Sequence, residues 1–588
     1  MSMTKEHAAQ LKDKPAIVCC RTVKGTVISP ADLEDPAIFP DLEESGLITI
    51  TPETLTVGEV MGATLKIDID ALNCLTADIL DGVTLKAAAT APASAAPAPA
   101  SAAAGKPAGP SFGGGVFHFK VDKADGLEFS FPLGGYGGGG GEFVESVVAG
   151  EQSGVEEVSD EITGTLEKRH FTVKEVRLGD KTEFADGVLS IRKAVVQDAL
   201  KKFPLIKKME LDVITPEKRH VHTETIMDVV PIATKVEGEV GFGITNTLDG
   251  TVFMLTGVDE EGTQVHEFGS SNGFLDETVI YGRPGCPDED EIVIRVHCVL
   301  ERLTGMERRG PMAAHGACDV VIQEVRDVLK PIPAAAASKV ETLNVVKRHG
   351  RPRVLLVKEI MGQGAMHDNI LIPMEPAGVP GGRPNVDLGN VPIAMNVNEV
   401  RDGAIHALCC IGPASKEMTR HYFREPIVNL MADDPEINLV GVVFVGSPQV
   451  NDEKTFVSKR LGAMADTMDI EGAIVMTEGF GNNHVDFTSH IEELGKRGIK
   501  TIGMTYAAYQ GQLVVGNQYT DAMIEMNKDA GGFESERLGE NTLTLNEAKR
   551  ALSMLKNKLA GVPIEPPDNK WSQSIIDANQ KAVDAVMH

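Results

Sequence analysis

After Arg351 the chain alternates apolar strand-like runs with amphipathic stretches, and this alternation constrains the fold more than any other feature. RVLLVKEI opens the series. LVGVVFVG (439–446), a helix expected over 452–467, GAIVMTEG (472–479), a helix expected over 486–497 and IKTIGMTY (499–506) follow. Strands joined through a helix form βα crossovers, and such units imply a parallel sheet. Residues 351–588 are therefore expected to form an α/β domain. In open sheets of this kind ligands collect beyond the carboxyl ends of the strands, here the loops beginning at Gly446 and Thr477. The polar segment EGFGNNHVD falls where a site is expected.

The rest of the chain reads as several further units, as a length of 588 residues requires. Residues 1–86 form an amino-terminal extension domain. Residues 87–111 are almost pure Ala, Pro, Ser and Gly, with nothing to bury, and read as a tether. Residues 112–168 are a Gly-rich connecting segment; its GGYGGGGGEF (134–143) has neither GxGxxG spacing nor the Lys-Ser/Thr ending of a P-loop. From 169 to 350 short apolar runs such as VLSI, MELDVI and IVIRV alternate with turn residues, which predicts a β-rich domain. It closes on a helix in HGACDVVIQEVRDVLK, where Val321, Val325 and Val328 make one apolar stripe and KPIP stops it.

With 56 basic against 85 acidic residues the formal charge is −29, which disfavours nucleic acid and anionic membrane as partners. No stretch is long and apolar enough for a membrane span and the first residues lack a secretory h-region, so the expectation is a cytoplasmic protein. Eight cysteines, two vicinal pairs among them and no CxxC, do not resemble a disulfide framework or a zinc ribbon, and no metal is expected.

The richest chemistry lies in DGAIHALCCIGPASKEMTRHYFREP (402–426), where Cys409, Cys410, His406, His421, Arg420 and Arg424 crowd together. A thiol beside a bent peptide bond can attack the preceding carbonyl, converting amide to thioester. Elimination then leaves dehydroalanine, which hydrolyses to a terminal pyruvoyl group. The reaction needs a thiolate and a proton acceptor, and His406 is the candidate base. A buried cysteine pair beside a satisfied histidine is the alternative that the residues alone leave open.

KEVRLGDKTEFADGVLSI, QGAMHD (363–368), DGAIHALCCIGP and MTEGFGNNHVD (476–486) resemble the precursor shared by the substrate-specific subunits of the selenium-dependent glycine, sarcosine, betaine and D-proline reductases. The amino-terminal extension, with CCRTVKGTVISPADLEDPAIFPDLEESG and the tether, further resembles the proline-specific branch. The resemblance implies a proprotein cut before a cysteine that becomes a pyruvoyl cofactor. The motif before Ile-Gly-Pro puts that role on Cys410, although Cys409 stands where the family usually has Thr or Asn, so either thiol is a candidate nucleophile. The implied reaction is reductive ring opening of D-proline to 5-aminopentanoate, the carbonyl withdrawing electrons from the ring nitrogen. The attacking selenolate is implied on a separate small selenocysteine (or Cys) subunit, with a dithiol or electron-donor protein to reset it and the cleavage fragments held together as a hetero-oligomer.

Other residues are expected in supporting roles. Arg420 and Arg424 are candidate clamps for the substrate carboxylate, with surface ion pairing as the alternative. Lys416 and His421 follow the cleavage point closely enough to contact the carbonyl. His367 and Asp368 are candidates to orient water or the pyruvoyl oxygen, and Glu478 is a candidate general acid. Two rival readings remain: a sister reductase acting on sarcosine or betaine, and an unprocessed scaffold paralogue.

Overall fold

The computed structural model of the chain describes residues 5–17, 27–28, 33, 36, 39, 43, 49–60, 65–67, 80–81, 116–121, 127–132, 159–263, 265, 271–304, 309–361, 370–372, 386–387, 390–407, 418–448, 451–477, 481, 483–505, 513, 515–526, 537–540, 542–562 and 564. Residues 1–85 and 156–588 make one compact unit and 86–155 a second. The second unit contains an antiparallel hairpin, Val116–Val121 with Leu127–Pro132. In the first unit a small antiparallel sheet joins Val27–Ile28, Leu65–Ile67 and Leu80–Asp81.

The middle region is strand-rich, as its short apolar runs predict. One sheet has the order Ile206–Ile214, Ile292–Leu300, Thr251–Asp259, Ile226–Val230. The helix Arg309–Leu329 covers it, setting Ala314, Ala317, Val321, Ile322, Val325 and Leu329 against Phe253, Leu255, Ile294 and Val296. This helix begins six residues before the stretch that its valine stripe marks, because its first turns carry small residues in place of large apolar ones. A second sheet orders Ala233–Glu237, Gly243–Asp249, Ser159–Thr172 and Lys339–His349. Its Ser159–Thr172 strand starts inside the expected connecting segment; the first residues are exposed and polar, so their pairing with Lys339–His349 leaves no apolar alternation to read.

The carboxyl-terminal sheet has six strands, in the order Ile393–Met395, Asn438–Ser447, Arg353–Met361, Gly472–Thr477, Lys500–Thr505, Met523–Glu525. All pairs are parallel except the edge pair of Ile393–Met395 with Asn438–Ser447. Counted along the chain, the parallel strands stand 2-1-3-4-5, the order of a doubly wound sheet whose switch point lies between the first and third strands.

Alternation within the apolar runs explains both packed faces. Val354 and Leu356 enter one core with the helices Pro426–Asp433 and Leu545–Leu559. Leu355 and Val357 enter another with Asn451–Thr467 and Asn483–Gly495. Burial on both faces is what turns RVLLV into an unbroken apolar run. The last of these helices starts at Asn483, ahead of the expected 486, and puts Asp486 in its first turn, where a carboxylate faces the positive end of the helix dipole. No helix among the described residues is long and apolar enough to cross a membrane.

Candidate processing and active site

The segment carrying Cys409 and Cys410 leaves the described structure after Ala407 and re-enters at Met418, and both ends are anchored on the middle region. On the upstream side, Asp402 is fully buried and accepts from Lys235 Nζ at 2.6 Å, Gly241 N at 2.8 Å and Thr245 Oγ1 at 2.5 Å. Lys168 Nζ, buried over the Phe423 ring, donates to the Arg401 carbonyl at 2.9 Å. Gly403 follows with φ 87°, a conformation that side-chain-bearing residues resist, and turns the chain towards His406.

The two ends meet at one carboxylate. Thr419 donates to Asp228 through its backbone N–H (2.9 Å, to Oδ1) and its hydroxyl (2.7 Å, to Oδ2). His315 Nδ1 lies 3.7 Å and His406 Nε2 3.9 Å from Asp228 Oδ2, with the imidazole rings edge-on at 5.8 Å. Asp228 belongs to the Ile226–Val230 strand, His315 to the long helix and His406 to a two-residue strand paired with Ile370–Ile372. Burial pushes the Asp228 carboxyl up to about 8, against the two Thr419 bonds and with help from nearby Asp319. Burial also lowers His406, Asp319 opposing it, so the imidazole is neutral and able to accept a proton near neutral pH. The ligand-type atoms of Asp228, His315 and His406 lie within 4.8 Å of one another, the one group among the described residues with the spacing of a cation site.

Helix Thr419–Phe423 carries Arg420 and His421, with Arg424 just past its end. Arg420, expected as a carboxylate clamp, grips protein carboxylates: Glu291 with both amino groups (2.6 and 2.8 Å) and Asp288 at 3.0 Å. Arg424 bonds Asp288 at 2.8 and 3.1 Å and the carbonyls of Arg283, Pro284 and Cys286. Asp288 is pushed up by burial, yet the two guanidiniums hold it below its ordinary value. The Arg420–Glu291 pair is buried, whereas Arg424 and Asp288 are partly exposed. Both arginines staple this helix to the 283–291 loop. His421 is fully buried, with Nε2 3.6 Å from Glu425, which pairs with buried Lys358 at 2.5 Å.

A second polar constellation sits at the switch point. Glu359, Ser447 and Thr477 project to one face near the carboxyl ends of adjacent strands, toward the helices Asn451–Thr467 and Asn483–Gly495. Lys454 Nζ bonds Asp486 at 3.0 Å and Ser447 at 3.3 Å, and Thr477 donates to Glu359 at 3.1 Å. His490 lies 3.5 Å from Glu359 and 2.8 Å from the Ser458 hydroxyl. Burial drives Glu359 well above its ordinary value, with Asp486 adding to it, and pushes His490 down to about 3. MTEGFGNNHVD thus contributes Thr477 and Asp486 to a buried polar network, at the place expected of a site.

Cys409, Cys410, Lys416, His367, Asp368 and Glu478 lie outside the described residues. Sequence reasoning missed Asp228, His315, Lys358, Glu359 and Lys454. The signal was present for three of them, because a charged residue inside an apolar strand run, as in TIMDVV or VLLVKEI, has no reason to be there unless a partner meets it.

The family model for glycine/sarcosine/betaine reductase component B subunits matches residues 164–276 and 336–536. D-proline reductase proprotein PrdA of Acetoanaerobium sticklandii is 44% identical over 98% of this chain and 94% of that protein. The chain belongs to the component B family. Within this family, glycine reductase complex component B subunits alpha and beta of A. sticklandii is 25% identical over 59% of the chain and 80% of that protein. Betaine reductase complex component B subunit alpha of Peptoclostridium acidaminophilum is 26% identical over 58% and 78%. No solved structure matches. The component B match passes over residues 277–335, which hold His315, Asp288 and Glu291, while Asp228, His406 and the arginines lie inside it. The chain therefore meets matched residues of its family with partners from a segment that the family model leaves out.

Proposed function

We propose that the chain is the proprotein of the substrate-specific subunit of a D-proline reductase, cut between Cys409 and Cys410. The observation that carries this reading is the convergence of both ends of the Cys409–Cys410 segment on Asp228, His315 and His406. A pyruvoyl group at residue 410 fits this setting: a neutral buried imidazole and a carboxyl held near 8 stand at the segment's ends, where a proton has to be taken up and returned. When formed, the group supplies an electrophilic carbonyl for the substrate amine. His406 is the proposed base for its formation, and Glu478, one residue beyond the Thr477 strand end, the proposed acid in turnover; His367, Asp368, Lys416 and His421 are proposed contacts of the carbonyl.

The thiols of the described residues support a division of labour between subunits. Cys286, Cys298 and Cys318, the free cysteines of the described residues, are buried. Burial pushes the first two thiols up to about 12 and the third well above its ordinary value, so none of the three supplies a thiolate at neutral pH. A separate small selenol or thiol subunit is the proposed nucleophile, with a dithiol or electron-donor protein as reductant. D-proline is the proposed substrate because the D-proline reductase relative is matched along nearly its whole length, whereas the betaine and glycine relatives cover 58% and 59% of the chain.

The test is an intact mass spectrum of the purified chain. Two species matching residues 1–409 and 410–588, the second without a free amino terminus, are expected, and Cys410→Ala should remain whole. A wild-type chain that stays uncut supports the scaffold alternative. Turnover of sarcosine or betaine in preference to D-proline by the processed subunit with its partner and a dithiol assigns it to a sister reductase.

A further inference from the structure

Asp228, His315 and His406 come from a strand, its covering helix and the short strand after Gly403, and all three are buried. His315 Nδ1 and His406 Nε2 face the same carboxylate oxygen at 3.7 and 3.9 Å. Both gaps are too long for a hydrogen bond, whose heavy atoms lie within about 3.2 Å of each other. They are close to the spacing of two atoms held by one ion, since ligands about 2.0–2.1 Å from a tetrahedral centre stand roughly 3.4 Å apart. All three ligand-type atoms lie within 4.8 Å of one another, so a small inward movement of the side chains closes them on an ion. Among the described residues no lysine or arginine pairs with Asp228, and Arg326 is paired with Asp319, one helical turn from His315, at 3.4 Å. A carboxylate with no solvent exposure and no ammonium or guanidinium beside it is costly, and a divalent cation removes that cost. Thr419 donates its N–H to Oδ1 and its hydroxyl to Oδ2, which fixes the carboxylate as outer-shell partners fix metal ligands. The three residues lie far apart in the chain, so no short motif announces them.

We propose that Asp228, His315 and His406 form a binding site for a divalent transition-metal ion of the zinc class. Two imidazoles and one carboxylate are a borderline donor set: Mg2+ and Ca2+ favour shells of oxygen, whereas Zn2+ takes imidazole nitrogen and carboxylate oxygen in a tetrahedron. Three protein ligands leave a fourth position, as in sites that keep water or a small ligand on the ion and unlike closed structural ones. The ion ties a central strand, its covering helix and the strand bearing His406 through one centre. The site stands on these three side chains whether or not the chain is cut. It also bears on the base role proposed for His406. An imidazole that holds an ion through Nε2 takes no proton there, so occupancy of the site withholds that base.

The test uses the untagged full-length chain, stripped with a chelator and titrated with Zn2+ or Co2+ in competition with a chromophoric chelator, with metal content measured by elemental mass spectrometry. One ion per chain is expected, together with a higher unfolding midpoint when it is bound. Folded Asp228→Ala, His315→Ala and His406→Ala should each bind more weakly by well over the roughly tenfold that loss of an outer-shell partner costs, and Thr419→Val by about that amount. His220 and His222 are exposed and lie outside the site, so a chain carrying His220→Ala and His222→Ala should bind as the wild type does. In the Co2+ form two hyperfine-shifted imidazole N–H resonances are expected, a readout that needs no variant to fold. No ion on the folded wild type, unchanged affinity in the folded ligand variants, or a Co2+ spectrum without the two imidazole resonances overturns the inference. The processing reading fails on a different result, a wild-type chain that stays uncut.

Discussion

Lys358 and Glu425 are an ion pair without solvent contact, 2.5 Å apart, with the Tyr422 ring 5.1 Å from the ammonium. Burial pushes Glu425 up, but Lys358 and His421 overcome it and hold the carboxyl at about 2. Breaking such a pair leaves one buried charge uncompensated, so Glu425→Gln should cost about 3–5 kcal/mol, measured by denaturant unfolding. The sign with pH follows from the depressed value: the pair contributes fully above the usual 4.5 and loses its contribution as pH falls toward 2. In unfolding curves taken from pH 6 to 3 the wild type should lose stability faster than Glu425→Gln; equal slopes would show that the pair is not the titrating element. Arg420 belongs to the same scale. Because Glu291 and Asp288 occupy its fork, Arg420→Lys is expected to lower the unfolding midpoint while leaving KM for D-proline within about threefold in processed enzyme. A tenfold rise in KM without loss of stability would return the residue to substrate binding.

At the scale of elements, the approach to the scissile segment is set by a short helix, Val397–Arg401, with a complete capping box. Asn396 accepts from the backbone of Asn398 and Glu399, and Glu399 accepts the Asn396 backbone N–H at 2.7 Å. Asp402 and Gly403 follow directly, so this helix aims the strand that bears His406. Asn396→Ala should cost about 1 kcal/mol. It should also slow cleavage through misplacement of the upstream end; a thermal shift without slower cleavage would place the aim of the segment elsewhere. The corresponding downstream element, Thr419–Phe423, is held by Asp228 at one end and by Arg424 just past the other.

At the scale of the whole molecule, the proposed cut between Cys409 and Cys410 would divide a sheet whose strands come from both sides of it. Arg353–Met361, upstream of the cut, lies between Asn438–Ser447 and Gly472–Thr477, both downstream of it. Ile393–Met395, also upstream, forms the far edge beside Asn438–Ser447. Separating the pieces would expose strands that are buried on both faces, including Val354, Leu355, Leu356 and Val357. The processed fragments are therefore expected to elute together on size exclusion and to unfold in one transition for this body, and residues 410–588 made alone should be insoluble. A soluble, folded 410–588 fragment would contradict the interleaved sheet.

Several features were legible in the sequence because they depend on neighbours along the chain. The strand-helix alternation after Arg351 marked the parallel sheet, apolar runs marked the middle strands, and MTEGFGNNHVD fell at the switch point. His406 stood out by being close to Cys410. What depended on distant partners was not legible. Whether Arg420 and Arg424 face substrate or protein is decided by Asp288 and Glu291, more than a hundred residues away. Asp228 and His315 join His406 only because a sheet and a covering helix bring three separate segments to one point. Local patterns fix backbone periodicity, whereas the environment of an ionisable group is set by whatever packs against it, and that is a property of the folded molecule.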